Sequence, residues 1–387
     1  MANQNQQMKT PTQRMRIGEG RISGALSIFL GALSLGGILC FKFPEQLTTP
    51  EFREVYTPEM VENLMLGGII ATFLFALVSL LLSKNKKYAV IGVVLGALAV
   101  VLGGMTVEGR AVEKMNWSLG LDWLILDLLV MVLIFVPIEL VFPKNRLQSK
   151  FHPEWRTDLI YFGISHLAIQ LFGVLTKKPA VAFFGWMNLE SVHQWVNDLP
   201  FVVELLIALV VTDLFQYAAH RIFHSHYFLW RFHSIHHSTE HMDWLAGSRT
   251  HFIDIFFTRS MSYMPLYVLG FSTLTFNVYI VFIAIHAVFI HANTRINFGF
   301  LKYIITTPQY HHWHHCQEPE HYGNNFAVVF PFIDKLFGTY YLPVNEWPKG
   351  TGLVDASFPK GFMKQFIFPF VKNPFKNDLL PEERSER

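Results

Sequence analysis

Four apolar blocks, Ile22–Phe43, Asn63–Leu82, Tyr88–Met105 and Leu121–Phe142, dominate the first part of the chain. Each is close to the ~20 residues that a helix needs to cross the hydrocarbon core of a bilayer. In lipid no water satisfies backbone N–H and C=O groups, so blocks of this kind have to become helices. Two further spans are expected at Leu159–Leu175 and Phe201–Ala219, and the run Ile253–Ala292 predicts a helical hairpin turning near Gly270–Ser272. Composition agrees, because 51% of the 387 residues are hydrophobic and only 16% are charged, a balance that soluble domains of this length rarely have. The expected fold is an all-α integral membrane protein, a multi-span helical bundle.

Four regions are expected: a disordered N-terminus over 1–20, a four-helix transmembrane region over 21–150, a histidine-bearing domain over 151–345 and a cytoplasmic tail over 346–387. The segment before Arg21 is polar and lacks an apolar core ahead of a small-residue cleavage site, so it does not read as a signal peptide. Basic residues supply an orientation, since cytoplasmic loops carry excess Lys and Arg. Arg14, Arg16 and Arg21 precede the first span, Lys84, Lys86 and Lys87 follow the second, and Lys144, Arg146, Lys150 and Arg156 follow the fourth. The loops Pro44–Met60 and Thr106–Gly120 are mixed or acidic. Alternation therefore predicts a cytoplasmic N-terminus and carries the span Phe201–Ala219 back to the cytoplasm where His220 begins.

Histidine is the unusual residue. There are 18, of which only His152, His166 and His193 precede His220. His220 and His224 stand at i, i+4 on one helical face, with Tyr217 and Asp213 on the same face one and two turns earlier. A carboxylate there is expected to hold an imidazole N–H and orient the ring as a ligand. A second box, His233-Ser-Ile-His236-His237, and a third, His311-His-Trp-His314-His315, repeat the i, i+3, i+4 spacing, which we expect to bring three imidazoles together in each. His291 ends the hairpin at the same membrane face. Tetrahedral zinc takes four ligands, so eight or nine histidines imply two metals at a cytoplasmic-face site. Imidazole suits iron, zinc and copper about equally, and ligand type does not choose among them.

Other chemistries are poorly supported. A formal net charge of +2 and the lack of an arginine-rich face give no reason to expect nucleic acid. Cys40 and Cys316 make neither a disulfide framework nor a cysteine zinc site. The single Glu-x-x-His match, Glu190 to His193, is not the paired set of soluble di-iron bundles, and there is no HExxH, G-x-S-x-G, P-loop or G-x-G-x-x-G motif.

At these residues the chain resembles the fatty acid hydroxylase superfamily, which includes sterol desaturases, fatty acid hydroxylases and alkylglycerol monooxygenase. The resemblance runs from Asp213 to Tyr341. It takes in Asp213, Tyr217, His220-Arg221 and His224, then Leu229-Trp-Arg-Phe-His233-Ser-Ile-His236-His237-Ser238, Arg249 to His251 and His291-Ala-Asn293, and ends with Pro308-Gln-Tyr-His311-His-Trp-His314-His315 and Asp334-Lys-Leu-Phe-Gly338-Thr339. It implies that 151–345 is a catalytic domain holding two iron ions (Fe2+/Fe3+) on these histidines. The implied reaction is O2-dependent hydroxylation of a C–H bond in a membrane lipid such as a sterol, fatty acyl chain or ether lipid. Many members carry Asn-Tyr-Gly after the third box, where this chain has His321-Tyr-Gly and then Asn324-Asn325. Either His321 or Asn325 takes that place, and Asn325 joins Asp213 and Tyr217 as a catalytic candidate.

Electrons then have to come from a separate donor, a ferredoxin or a cytochrome b5-like protein with its reductase, because the chain has neither a dinucleotide nor a haem-attachment motif. Arg221, Arg231 and Arg249 are candidates to dock it or to neutralise headgroups. Trp230, Phe232, Trp244 and Trp313 are candidates for a lipid route, although each taken singly is better explained as an interfacial-belt or packing residue. Two rival readings stand beside hydroxylation. One is a desaturase with the same site, and the other is a non-catalytic zinc protein or metal transporter. Transport calls for polar residues deep in the spans, and Asp127, Glu139 and His166 do not form a path.

Overall fold

The computed structural model describes residues 18–49, 57–106, 118–167, 175–176, 182, 186–187, 189–354 and 358–371. Most of the expected N-terminal disorder, residues 168–174 of the fifth expected span and the end of the expected tail lie outside the described residues. Within them the chain is helical, with no strand and only the isolated bridges Pro143 to Thr294 and Cys316 to Thr351. It divides into two compact units, Met1–Asp127 and Leu128–Arg387.

The first unit is built on α1 (Arg21–Lys42), α2 (Pro44–Leu47), α3 (Pro58–Leu82) and α4 (Lys87–Val101). Thr57 caps α3 by accepting from the Met60 N–H, and Pro58 opens the helix where a missing N–H costs nothing. Lipid removes the hydrophobic drive for helices to associate, so close approach through small residues has to replace it. Ser27 of α1 donates to the Thr72 carbonyl of α3 at 2.9 Å, and a Cβ added to Gly92 of α4 would lie 1.8 Å from the Ser27 oxygen. Ile38, Met65, Ile69 and Ala99 fill the remaining core.

Among the described residues five helices are long and apolar enough to cross a membrane: α1, the Glu59–Leu82 part of α3, α5 (Leu121–Val141), α8 (Phe201–Ser225) and α11 (Thr273–His291). The block expected to span at Tyr88–Met105 is shorter than its hydropathy suggests. Its helix α4 has 15 residues, or about 22 Å, and ends where Gly103 and Gly104 take positive φ.

The second unit continues with α6 (Trp155–Leu167), α7 (Glu190–Asn197), α8, α9 (Tyr227–His237), α10 (Phe252–Val268) and α11, followed by the short helices α12 (Pro308–His314), α13 (Pro331–Phe337) and α14 (Phe362–Ile367). Packing of α8 with α10 and α11 buries Ala208, Leu209, Tyr263, Leu266, Tyr279 and Ile283. The α10–α11 turn falls at Gly270–Ser272, as hydropathy suggested. Gly270 takes φ +76°, and Ser272 caps α11 while its N–H donates to Glu204 of α8 at 2.6 Å. The described part of the C-terminal region packs on this unit. Phe368 sits against Trp230, Arg231 donates to the Val371 carbonyl, and the Gly361 N–H reaches Glu154 at 3.1 Å.

Candidate metal centre

The histidines gather into two buried groups, and the two HxxHH boxes are divided between them. His220, His224, His233, His237 and His314 form one group, and His236, His291, His311 and His315 form the other; within each, one nitrogen per ring lies within 4.8 Å of all the others. The expectation that each box converges on one point is corrected here. On a helix, i+4 lies about 40° from i and i+3 about 60° to the opposite side, so the pairs His233/His237, His311/His315 and His220/His224 each share a group. The i+3 residues, His236 and His314, cross to the other. Each of the nine candidate histidines falls in one group or the other.

Backbone and carboxylate acceptors fix the rings. His220 Nδ1 donates to the Phe326 carbonyl at 2.8 Å, His233 Nδ1 to Asp254 at 2.7 Å and His314 Nδ1 to the Asn324 carbonyl at 2.7 Å. In the second group, His291 Nδ1 donates to the Ala287 carbonyl at 2.7 Å and His236 Nδ1 to the Arg249 carbonyl at 3.2 Å. A carbonyl only accepts, so in the neutral ring Nε2 is left with a bare lone pair. Yet His220 Nε2 and His233 Nε2 face each other at 3.0 Å, and His236 Nε2 and His291 Nε2 at 3.2 Å. Two lone pairs at that distance repel unless a cation lies between them. His224 is buried with no hydrogen bond to either nitrogen, which is likewise costly without a ligand. Burial, reinforced for most by neighbouring imidazoles, holds His236, His237, His311 and His315 well below the ordinary histidine value, and it takes His314 down to about 3. These rings are neutral and need no deprotonation to bind metal. Either group can hold a metal ion.

The supports come from residues that spacing does not reveal. The segment Asn324–Phe330 has no regular structure, and two buried carboxylates hold its N–H edge. Asp334 accepts from Phe326 and Ala327 at 2.8 Å, and Asp213 accepts from Val328 at 2.9 Å and Phe330 at 2.7 Å. The opposite edge is thereby aimed at the imidazoles. Asp213 thus meets backbone N–H groups where the sequence suggested an imidazole. Tyr217 OH lies 3.0 Å from Thr339 Oγ1 and accepts from Arg221. Asn325, at φ 61°, donates to the Tyr310 and Tyr341 carbonyls and accepts from the Tyr341 N–H.

Neither His251, His286 nor His321 belongs to a group. His251 caps α10 and contacts the Phe366 carbonyl, His286 lies between Thr306 and the Val328 carbonyl, and His321 stacks on Tyr341. His193, of the Glu-x-x-His match, contacts the Val268 carbonyl at the end of α10. Arg249 is corrected as a docking residue, since it is 2% exposed and paired with Asp158 and Glu154. The four aromatics are all buried, which agrees with packing and not with an interfacial belt. Trp230 alone among them lies against rings of the five-histidine group, tilted, with centroids 5.1 Å from His224 and 5.2 Å from His237. Phe326 closes the other side against His220, His224 and His314.

Comparison with known proteins bears on the same residues. The family model described as fatty acid hydroxylase matches residues 205–339. Ornithine lipid hydroxylase OlsE of Rhizobium tropici is 28% identical over 294 residues, 75% of this chain and 87% of that protein. Alkylglycerol monooxygenase of Xenopus tropicalis is 30% identical over 176 residues, so that the matched part covers 43% of this chain and 39% of that relative. Methylsterol monooxygenase 1-2 of Arabidopsis thaliana is 26% identical over 231 residues, 55% of this chain and 76% of that one. No solved structure matches the chain. Both histidine groups fall within the stretch, residues 205–339, that matches the fatty acid hydroxylase family model.

Proposed function

We propose that this chain is a di-iron hydroxylase of a polar membrane lipid, with one iron in each histidine group. The observation that carries the reading is the pair of facing Nε2 lone pairs, His220 to His233 and His236 to His291, in two buried groups inside one fatty acid hydroxylase domain. Iron at these positions would supply O2 activation and the electron changes needed to oxidise a C–H bond. The chain's own part is to hold, orient and keep dry. Nine imidazoles bind, the Asn324–Phe330 carbonyls, Asp254 and the carbonyls of Ala287 and Arg249 fix five of them, and Trp230 and Phe326 exclude water. Asp213, Tyr217 and Asn325 serve here as positioning groups for that segment.

The substrate class follows from the relatives' names, which pair a polar headgroup or hydroxyl with an apolar body. A lipid already in the bilayer reaches a site at the membrane boundary without crossing water. Hydroxylase and monooxygenase names favour oxygen insertion over desaturation. Electrons come from a ferredoxin or cytochrome b5-like donor, with exposed Arg221 and half-buried Arg231 as its basic contacts. The N-terminus and the histidine groups face the cytoplasm. Supporting this, Gly20 packs beside Ser83, which puts Arg21 and Lys84–Lys87 at one end of the first unit.

The test is metal analysis of the purified chain, then O2 uptake with reductant and bilayer lipids, with products read as a mass gain of one oxygen. Two irons per chain and an oxygenated lipid are expected, and His236→Ala should lose one metal and the product. A His236→Ala protein with two metals and full product would end the di-iron reading.

A further inference from the structure

We infer that Asp254 is a positioning residue that makes the two metal positions unequal, so that the five-histidine group binds its ion first and more tightly. The inference rests on the two-metal reading above and deepens it. Asp254 lies in the first turn of α10, is 1% exposed, and accepts the Nδ1 proton of His233 through Oδ2. His233 Nε2 points the other way, at His220 Nε2. A carboxylate behind an imidazole fixes its tautomer and draws the Nδ1 proton toward itself, which raises the electron density that Nε2 offers a cation.

Among the described residues no other ligand has a carboxylate hydrogen-bonded to its ring. His220 and His314 donate to carbonyls, as do His236 and His291 in the second group. His311 and His315 have no partner at Nδ1. The first group therefore has one more ligand and, among the described residues, the one carboxylate hydrogen-bonded directly to a ligand ring, and both differences act in the same direction. Asp254 is itself anchored, because α10 starts with His251 accepting from the Ile253 N–H and Thr258 Oγ1 donating to the Asp254 carbonyl at 2.8 Å.

The experiment titrates Co2+ into metal-free full-length protein in detergent, following visible absorption and bound metal by equilibrium dialysis. Wild type should take two equivalents in two steps, the first tighter. Asp254→Asn, which keeps shape but not charge, should weaken the tighter step by about 10–100-fold and leave the other unchanged. In a His291→Ala background, which removes a ligand of the four-histidine group, the remaining tight step should show the same shift. Asp254→Glu, which restores a carboxylate, should recover part of it, and gives the comparison if Asp254→Asn does not fold. Equal weakening of both steps, weakening of the looser step alone, or no shift overturns the inference. Fewer than two equivalents in wild type instead overturns the di-metal reading.

Discussion

Asp213 and His220 lie two turns apart on one face of α8 and never touch, yet the carboxylate sets the imidazole through a stretch of backbone. Asp213 takes the N–H groups of Val328 and Phe330, and His220 Nδ1 donates to the Phe326 carbonyl of the same segment. Asp213→Asn keeps one accepting oxygen and turns an NH2 toward the other N–H. One buried donor is then bare, at a cost of about 1–3 kcal/mol. Thermal unfolding should show a fall of several degrees, and metal content should fall in the five-histidine group. An unchanged melting temperature with full metal content would show that the segment does not depend on this carboxylate.

Metal removal should destabilise the chain. An ion bound only by the folded state adds about 2.7 kcal/mol at a free concentration 100 times its dissociation constant, and in these groups it would also separate lone pairs held 3.0–3.2 Å apart. Chelation in detergent is expected to lower the melting temperature, and Fe2+ added without O2 should restore it. A melting curve indifferent to chelator would mean that the groups hold no ion.

The parts of this site that were legible in the sequence are those set by local geometry. Spans follow from apolar blocks, and i, i+4 pairs follow from the helical repeat, which is why the His220/His224 pair and the nine histidines of the two groups stand out in the sequence. What spacing hides is how helices cross. His236 faces His291 from 55 residues away, and His220 faces His233 only because α9 folds back on α8. The supports were less visible still. Asp254 and Asp334 look like ordinary first-turn acids, and Asp213 looks like a partner for an imidazole until the 326–330 backbone is in place to take it.

His152 predicts a pH dependence. It is buried between Asp243, 3.2 Å away, and Asp158, 3.4 Å away. Burial pulls its pKa down, but the Asp243 and Asp158 carboxylates outweigh that pull and raise it above the ordinary value. A raised folded value means that the stabilisation is complete below an unfolded pKa of about 6.5 and is lost as pH rises through the folded one. Melting temperatures of the wild type should therefore decline as pH rises above about 6.5, relative to those of His152→Gln. Parallel curves for the two proteins above pH 6.5 would dismiss the effect.

Glu139 separates charge from hydrogen bonding at the second group. Its Oε1 accepts from the N–H of Trp244 at 2.8 Å and of Asn293 at 3.0 Å, while Oε2 takes Lys150 Nζ at 3.1 Å. Both N–H groups flank His291. Asn293 follows it by two residues, and Trp244 leads into the turn where a Cβ on Gly247 would lie 2.9 Å from His291 Nδ1. Lys150 is 36% exposed, so the ion pair contributes about 1 kcal/mol or less. Glu139→Gln keeps the oxygen for both N–H groups and should retain two metals and a near-normal melting temperature. Glu139→Ala bares two buried donors at about 1–3 kcal/mol each, and should melt several degrees lower with less metal bound in the four-histidine group. If the glutamine variant lost as much as the alanine one, the negative charge and not the paired acceptor would be what places His291.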